Sequence, residues 1–263
     1  MNTTLPVNGS PMTPQPRPDL RSRLLERVRA SHAHESQFLT VRRDGLPWSL
    51  LAAAVRHRPL ARTGLASSCL IELGPHAIVP RDPCFTQAEL VVLGGEAVVV
   101  GNVDNVGNVA SAASVDKMLA CGEAACLPHD LAHPIHAGAA GARLFLRLSA
   151  PDVPAASLTH FSAVRGDGGW DDFCPGVRIR ALWQGGERSS LLVRMRAGAS
   201  VNAHGHPLEE ECMMLAGEAF VGDTLLRSSD YQLAPMGSRH GAVTTDVGAL
   251  FYVHGSLNPA AYL

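Results

Sequence analysis

The apolar positions of this chain fall into short runs that turn-forming residues interrupt. Examples are Leu191–Met195, Cys212–Leu215 and Leu250–Val253, with Gly, Pro, Asp or Ser between them. Short apolar runs with this punctuation are typical of strands joined by tight turns. The pattern therefore predicts an all-β protein, built as a sandwich or barrel, over most of the length.

One N-terminal segment has the 3.6-residue period of a helix instead. Leu20, Leu24, Leu25 and Val28 fall on one face, and Asp19 precedes them as a candidate N-cap. Arginines occupy the opposite face, as in an ordinary surface helix, although a partner-binding helix has the same pattern. Residues 1–18 are rich in Pro, Asn, Thr and Ser, which predicts a disordered tail.

From residue 40 onward the sequence repeats itself at an offset of 122 positions. The matched pairs are Trp48 with Trp170, Leu70–Leu73 with Leu192–Met195, and Glu89–Glu96 with Glu211–Glu218. Three separated matches at one offset indicate a duplicated small domain. We predict a tail and helix over 1–39, one antiparallel barrel over 40–150 and a second over 160–258. The first unit has about fifteen extra residues between Gly95 and Pro128, which predict a loop or hairpin insertion around 101–109.

The second unit contains a set of residues suited to bind a metal. His204 and His206 are two positions apart, so on a strand they face the same way. Glu210 follows after a short Pro-containing turn, and the turn at Pro235–Gly237 would place His240 at the start of a later strand. Three imidazoles and one carboxylate form a ligand set for a divalent transition metal.

These motifs resemble those of the cupin superfamily, and more closely its ChrR-like branch of zinc-containing anti-sigma factors and their relatives. The likeness lies in Pro175–Trp183, Ala203–Glu211, Ala234–His240 and the Leu20–Val28 helix. It implies two RmlC-like jelly-roll barrels with the metal ligands His204, His206, Glu210 and His240. Two positions depart from the general cupin pattern, because Ser229 replaces a glycine and Thr244 an asparagine.

The first unit has lost this ligand set. The 122 offset places Asp82, Cys84 and Ala88 where His204, His206 and Glu210 stand, and only His133 retains its spacing after Pro128. Glu89 aligns with Glu211, which strand alternation directs away from the site. We therefore predict one metal-binding barrel and one degenerate barrel. By the same alternation Glu209 and Glu211 are expected to be solvated, and His254 to be structural.

Composition narrows the classes of partner. The net charge of −2 provides no electrostatic basis for binding nucleic acid or anionic lipid. No apolar stretch is long enough to cross a bilayer, and the N-terminus has no secretory h-region. Six scattered cysteines without a CxxC pair suggest reduced thiols, so we expect a cytoplasmic protein.

Two functions remain open at this stage. The first is a metal-binding sensory or regulatory bicupin, with zinc as the expected ion and a sigma factor or other regulator as a candidate partner. We expect the family's sigma-binding zinc domain to be missing, however, because the first 40 residues contain no cysteine. The second is an iron- or manganese-dependent dioxygenase, or another cupin enzyme, acting on a small organic substrate. A homodimer is compatible with either function.

Overall fold

The structure is a computed structural model that describes residues 19–64, 66–102, 114–128, 134–150, 162–164 and 168–256. The chain divides into two compact units, Met1–Ser36 and Gln37–Leu263. In the first unit, helix α1 spans Leu20–Glu35 and begins where the sequence predicts. The Ser22 backbone N–H donates to the Asp19 Oδ1 at 2.8 Å, so Asp19 is the N-cap. The predicted tail, residues 1–18, lies outside the described residues.

The second unit is built from antiparallel strands, as the apolar pattern predicts. Its first half contains β1 (Leu39–Val41), β2 (Ser49–Ala52), β3 (Val55–Arg62), β4 (Ala66–Leu73), β5 (Gln87–Asn102), β6 (Ser114–Ala120), β7 (Ala124–Pro128) and β8 (Ile135–Ser149). Its second half contains β9 (Ser162–Val164), β10 (Asp171–Cys174), β11 (Val177–Gly185), β12 (Arg188–Met195), β13 (Ser200–Val201), β14 (His204–Gly205), β15 (Glu210–Val221), β16 (Thr224–Arg227), β17 (Tyr231–Ala234), β18 (Arg239–His240), β19 (Val243–Thr244) and β20 (Ala249–Gly255).

The duplication read from the sequence is visible in the strand limits. β2 and β10 coincide at the 122 offset, and so do β4 and β12. Within the described residues, the predicted insertion is the long hairpin that β5 forms with β6, where Asn102 pairs with Ser114. Positions 103–109 of the predicted insertion lie outside the described residues. The two barrels expected from the sequence are therefore present.

One close approach of the backbone is also repeated in both halves. Gly95 and Gly217 have φ values of +68° and +72°. A Cβ atom at either glycine would lie 2.1 Å from a carbonyl oxygen, that of Gly141 or of Gly248. Only glycine fits there, because both the conformation and the space exclude a side chain.

The halves exchange short strands. β1 pairs with β17 of the second barrel, and β9 pairs with β7 of the first. Along the chain β1 comes just before the strands of the first barrel and β9 just before those of the second, yet each extends a sheet of the other barrel. The largest sheet thus has ten strands and includes β1, while the other large sheet has eight and includes β9.

Apolar side chains form three clusters in the described residues, one inside each barrel and one between the barrels. The cluster between them contains Phe145, Trp170, Met213, Tyr231 and Tyr252, all buried. Phe145 and Tyr252 pack with their ring centroids 5.0 Å apart. The two barrels therefore share a hydrophobic interface within one compact unit.

A buried ionic network runs through this interface. The Arg147 Nε donates to the Glu211 Oε1 at 2.8 Å, and its Nη1 donates to the Glu89 Oε1 at 3.2 Å. The Tyr231 hydroxyl donates to Glu211 at 2.9 Å, and the Tyr252 hydroxyl donates to Glu89 at 2.8 Å. Arg147 is only 3% exposed, and the two carboxylates hold its pKa above the ordinary value despite its burial. The cation thus stays charged inside the protein.

The expectation that Glu211 is solvated is wrong. Strand alternation does direct its side chain away from Glu210, but that side faces the other barrel, where Glu211 is buried against Arg147 and Ser68. His254 is a structural histidine, as expected: it is buried and its Nδ1 lies 2.8 Å from the Ser190 Oγ.

In the described part of the chain, no helix is both long and apolar enough to cross a lipid bilayer.

The network yields a stability prediction. Replacing Arg147 by Met should lower the free energy of unfolding by about 3–5 kcal/mol, because two buried carboxylates lose their counter-charge. Denaturant unfolding of the full chain measures this. Arg56→Met is the matched control, because Arg56 also pairs with a carboxylate, that of Glu72, but its side chain is 57% exposed. Loss of this exposed ion pair should lower the free energy of unfolding by less than about 1 kcal/mol. Equal losses in the two variants would contradict the role assigned to Arg147.

Candidate metal centre

Two of the four predicted ligands face each other across a short strand pair. β14 and β18 are antiparallel, and His204 is the Cα partner of His240. Their ring centroids are 4.2 Å apart, and the His206 ring lies 5.3 Å from His204 and 4.8 Å from His240. All three imidazoles are buried. The His-x-His spacing thus places both rings inside the barrel, as the sequence predicts.

The turn at Pro235–Gly237 fixes the position of His240. Gly237 has a φ of +80°, and its N–H donates to the His206 carbonyl oxygen at 2.7 Å. The His206 N–H in turn donates to the Ser238 carbonyl oxygen at 2.9 Å. The turn is therefore bonded to the ligand loop itself, which holds the two segments in register.

Glu210 is the first residue of β15 and reaches the histidines from there. Its Oε2 lies 3.6 Å from the His206 Nδ1. A Cβ atom at Gly255 would lie 3.0 Å from the Glu210 Cγ, so a larger residue on β20 would displace this side chain. The structure therefore brings together all four residues that the sequence nominates.

Backbone carbonyls hold two of the rings in a ligand-competent tautomer. The His204 Nδ1 lies 2.9 Å from the Asn202 carbonyl oxygen, and the His240 Nδ1 lies 2.7 Å from that of Gly241. A carbonyl only accepts, so each Nδ1 carries the proton and each Nε2 presents its lone pair as the ligand atom. Burial lowers the pKa of His240 to about 4 and also lowers that of His204, which keeps both rings neutral.

The carboxylate of Glu210 is ionised, because its neighbours favour the charged form more than burial disfavours it. Burial by itself raises its pKa, but the neighbouring histidines, His206 foremost, favour the ionised form more strongly, and the net pKa is lowered. Neutral imidazoles beside an ionised carboxylate are the protonation states that metal coordination requires.

Two further observations fit a metal ion here. The ligand atoms of the four residues all lie within 4.8 Å of one another. Ligands on opposite sides of an ion are about 4.2 Å apart when each bond is about 2.1 Å, so closing onto an ion takes only a small contraction. Among the described residues the His206 Nε2 is buried without a hydrogen-bond partner. The cluster could therefore hold one ion.

The ligands open onto a cavity of about 70 Å³ inside the second barrel. His204, Glu210 and His240 form part of its wall. Apart from these ligands, Gln232 and Cys212 are the polar side chains among the lining residues. The apolar part of the wall consists of Phe173, Val177, Ile179, Leu191, Val193, Val201, Met214, Ala219, Val221, Ala234, Val243, Phe251 and Val253.

The first barrel has filled the corresponding space. Its core contains Leu90, Leu127 and Leu146, where the second barrel has the smaller Cys212, Ala234 and Val253 at the repeat-related positions. Three leucines occupy the volume that the second barrel leaves open.

The remnants of a ligand set in the first barrel do not converge. Cys84 is exposed, and its N–H donates to the Asp82 Oδ1 at 3.0 Å, so this carboxylate caps its own turn. Ala88 is buried and offers no ligand atom. His133 lies outside the described residues. Among the residues that the structure describes, the four-residue cluster of the second barrel is the one group suited to bind a metal.

One residue of the cavity escaped the sequence analysis. The Gln232 Nε2 donates to the Thr40 Oγ1 at 3.1 Å, so the exchanged strand β1 holds an amide inside the second barrel. Glutamine belongs to no metal motif. The sequence indicates that its side chain faces the barrel interior only through its position two residues before Ala234 on the same strand.

The sulfur-containing residues near Glu210 alternate between the two faces of β15. Met213 packs between the barrels, while Cys212 and Met214 line the cavity.

Comparison with known proteins supports this architecture. Residues 160–258 match the family model of the ChrR cupin-like domain. A putative dioxygenase from Nostoc punctiforme has a similar structure, with a TM-score of 0.64, 16% identity and 86% of each chain covered. Protein YlbA from Escherichia coli superposes with a TM-score of 0.65 and 12% identity over 83% of this chain and 90% of the other.

A third similar structure is an oxalate decarboxylase from Lactobacillus farciminis in complex with formate, with a TM-score of 0.57 and 12% identity over 83% of this chain and 86% of the other. No curated protein matches the sequence. At these identities the likeness shows the fold and not the activity. Residues 160–258 therefore match the ChrR cupin-like domain, and the chain as a whole shares the two-jelly-roll fold of these neighbours, which include a cupin barrel protein.

Proposed function

We propose that the second barrel holds one divalent transition metal at His204, His206, Glu210 and His240 and acts as a non-haem dioxygenase on a small, neutral organic molecule. The observation that supports this most is the apolar cavity that three of the ligands line. Four protein ligands around tetrahedral zinc would close the site, whereas an octahedral ion keeps two positions for substrate and dioxygen. An iron or manganese ion therefore fits this cavity better than zinc.

The cavity wall defines the class of substrate. Neither lysine nor arginine is among its described lining residues, so apart from the metal itself nothing in the wall offers a counter-charge, and a carboxylate remote from the metal would be buried unpaired. The volume of about 70 Å³ corresponds to about five water-sized positions. A compact ketone or phenol suits these walls, with the Gln232 amide available to a hydroxyl or carbonyl group.

The residues of the chain have distinct tasks in such a reaction. The bound metal would supply the activation of dioxygen, and both oxygen atoms would enter the organic product without an external reductant. The apolar wall excludes water and orients the substrate, while the backbone carbonyls of Asn202 and Gly241 keep two imidazoles in the coordinating tautomer.

A metal-dependent sensory or regulatory role is the second candidate. It is favoured by the match of residues 160–258 to the ChrR cupin-like domain, because the ChrR-like branch that the sequence resembles includes anti-sigma factors. In this reading the ion is zinc, a ligand in the cavity acts as a signal without being converted, and a sigma factor or another regulator is the partner.

The two functions differ in whether the protein consumes dioxygen. Full-length protein loaded with Fe(II) should consume dioxygen when small neutral ketones or phenols are added, and not with analogues of similar size that carry a carboxylate at the end remote from the metal. An oxygen electrode measures this, with product analysis in ¹⁸O₂ to show incorporation of both atoms. Saturable binding of a neutral probe with no oxygen consumption, and zinc in protein purified without added metal, would favour the regulatory role.

Metal content tests the ligand set itself. His240→Ala should remove the ion, because a buried ligand held by Gly241 is lost. At an ion concentration a hundredfold above the dissociation constant, the variant should also lose about 2.7 kcal/mol of metal-dependent stability. Elemental analysis and unfolding with and without a chelator measure the two effects. His133→Ala is the repeat-matched control and should retain the metal. If His133→Ala loses the metal and His240→Ala retains it, the site has been assigned to the wrong barrel.

The cavity can be tested without touching the ligands. Ala219→Leu places extra carbon atoms into open space, so it should change stability little while it abolishes binding of the organic substrate and leaves metal content intact. Ala97→Leu is the matched variant in the filled first barrel and should cost about 1–3 kcal/mol through overpacking. Chemical denaturation compares the two; equal destabilisation would mean that the second barrel is filled as well.

A further inference from the structure

Gln232 places an amide in the largely apolar wall of the cavity beside the candidate metal centre. It lies on β17 between two residues in register with it, Thr40 on β1 and Cys212 on β15. The residue is only 4% exposed, and its Nε2 donates to the Thr40 Oγ1 at 3.1 Å. Burying an amide among apolar side chains destabilises a fold unless hydrogen bonds compensate, so its presence here needs a reason.

The first barrel shows that the fold does not require this polar pair. At the repeat-related position β7 carries Ala125, whose Cα partner on β5 is Leu90 and whose Cα partner on the exchanged strand β9 is Ala163. Ala163 is the middle residue of β9, as Thr40 is the middle residue of β1. The barrel without the ligand set thus has two alanines where the other has a hydroxyl and an amide. The pair therefore accompanies the candidate site and not the architecture.

The register of β17 also places Gln232 close to the ligands. Ala234 is the Cα partner of Glu210, and Gln232 lies two residues before Ala234 on the same face of the strand. Same-face neighbours along a strand are about 6.6 Å apart. A molecule with one end at an ion held by Glu210 can therefore present a group one strand step away to the amide.

The hydrogen bonds of the amide indicate what that group is. A glutamine side chain has two N–H donors and one oxygen that can accept two hydrogen bonds. Among the described residues, Thr40 provides the one hydrogen bond to this side chain, and it engages the nitrogen. The Oε1 keeps its full accepting capacity toward the cavity. A buried acceptor is best matched by a donor, which a hydroxyl group offers and a ketone does not.

We propose that Gln232 is the specificity-determining residue of the cavity and selects neutral hydroxyl compounds, such as small phenols, over ketones and hydrocarbons of the same shape. The substrate hydroxyl donates to the Gln232 Oε1, while its carbon skeleton packs on the apolar wall. Thr40 is a positioning residue, because it holds the amide nitrogen and so directs the oxygen. This inference rests on the proposed function in one respect, namely that the cavity takes up an organic molecule.

Phenol and fluorobenzene are the probes, because they have nearly the same shape and fluorobenzene has no donor. Full-length protein loaded with Zn(II), which does not react with dioxygen, allows binding to be measured alone. ¹⁹F NMR gives the dissociation constant of fluorobenzene directly and that of phenol by displacement. In Gln232→Met the preference for phenol should fall at least about tenfold, because the hydroxyl loses its acceptor, while fluorobenzene binds within about threefold of the unmodified chain. Any contact of phenol with the ion is common to both proteins and cancels from this comparison.

The positioning role of Thr40 has its own test. Thr40→Val should lower the preference for phenol by about threefold or more, and Thr40→Ser should restore it, since serine keeps the hydroxyl. Gln87→Met is the matched control: Gln87 is a 5% exposed glutamine of the first barrel, outside this cavity, and its replacement should leave the preference unchanged. Should Gln232→Met fail to fold, Gln232→Ala, which introduces the residue type of the first barrel, takes its place.

The proposal is overturned if the preference for phenol is the same in Gln232→Met as in the unmodified chain, if Gln87→Met loses it equally, or if Thr40→Ser behaves like Thr40→Val. Failure of the dioxygenase function is a separate result. A preference that depends on Gln232, without dioxygen consumption by the Fe(II)-loaded protein, would support the specificity role and refute the oxygenase. Phenol-dependent dioxygen consumption that Gln232→Met leaves unchanged would do the reverse.

Discussion

The arrangement of the two barrels depends on one buried cation that they share. Arg147 lies on β8, and its carboxylate partners Glu89 and Glu211 lie on β5 and β15 of different barrels. Its guanidinium contacts both carboxylates only when the barrels are docked, so the network ties their orientation to the folding of both. Glu211 also immediately follows Glu210. On one face of β15, Glu210 therefore points to the candidate metal site. On the other face, Glu211 anchors the same strand to Arg147.

The two barrels share a fold but differ in how their interiors are used. Leucines fill the first, whereas cysteine, alanine and valine at the related positions leave room in the second. The exchanged strand β1 adds the Thr40 contact that holds Gln232 at this room. The first barrel thus contributes to the candidate site through a strand and an interface rather than through ligands of its own.

The sequence was sufficient to predict the fold and the convergence of the four candidate ligands, because both follow from local spacing. A His-x-His pair on a strand, a turn before His240 and a repeat at a constant offset need no knowledge of distant neighbours. The burial of Glu211 could not be read this way, since alternation tells which face a side chain takes but not what covers that face. The partners of β1 and β9 were equally hidden, because three-residue strands show no pattern that names the sheet they join. Ser229, where the family pattern has glycine, has a φ of +71°, so the conformation persisted after the residue changed.

The reciprocal exchange of β1 and β9 makes the chain equivalent to a strand-swapped dimer whose subunits have been joined. In a dimer of identical subunits, the positions of Arg147 and His254 would carry the same residue, and two arginines facing each other there would repel. Joining the subunits into one gene allows the two copies to diverge. One half can then hold the central cation while the other acquires a cavity with a candidate metal site, an asymmetry that no homodimer could inherit.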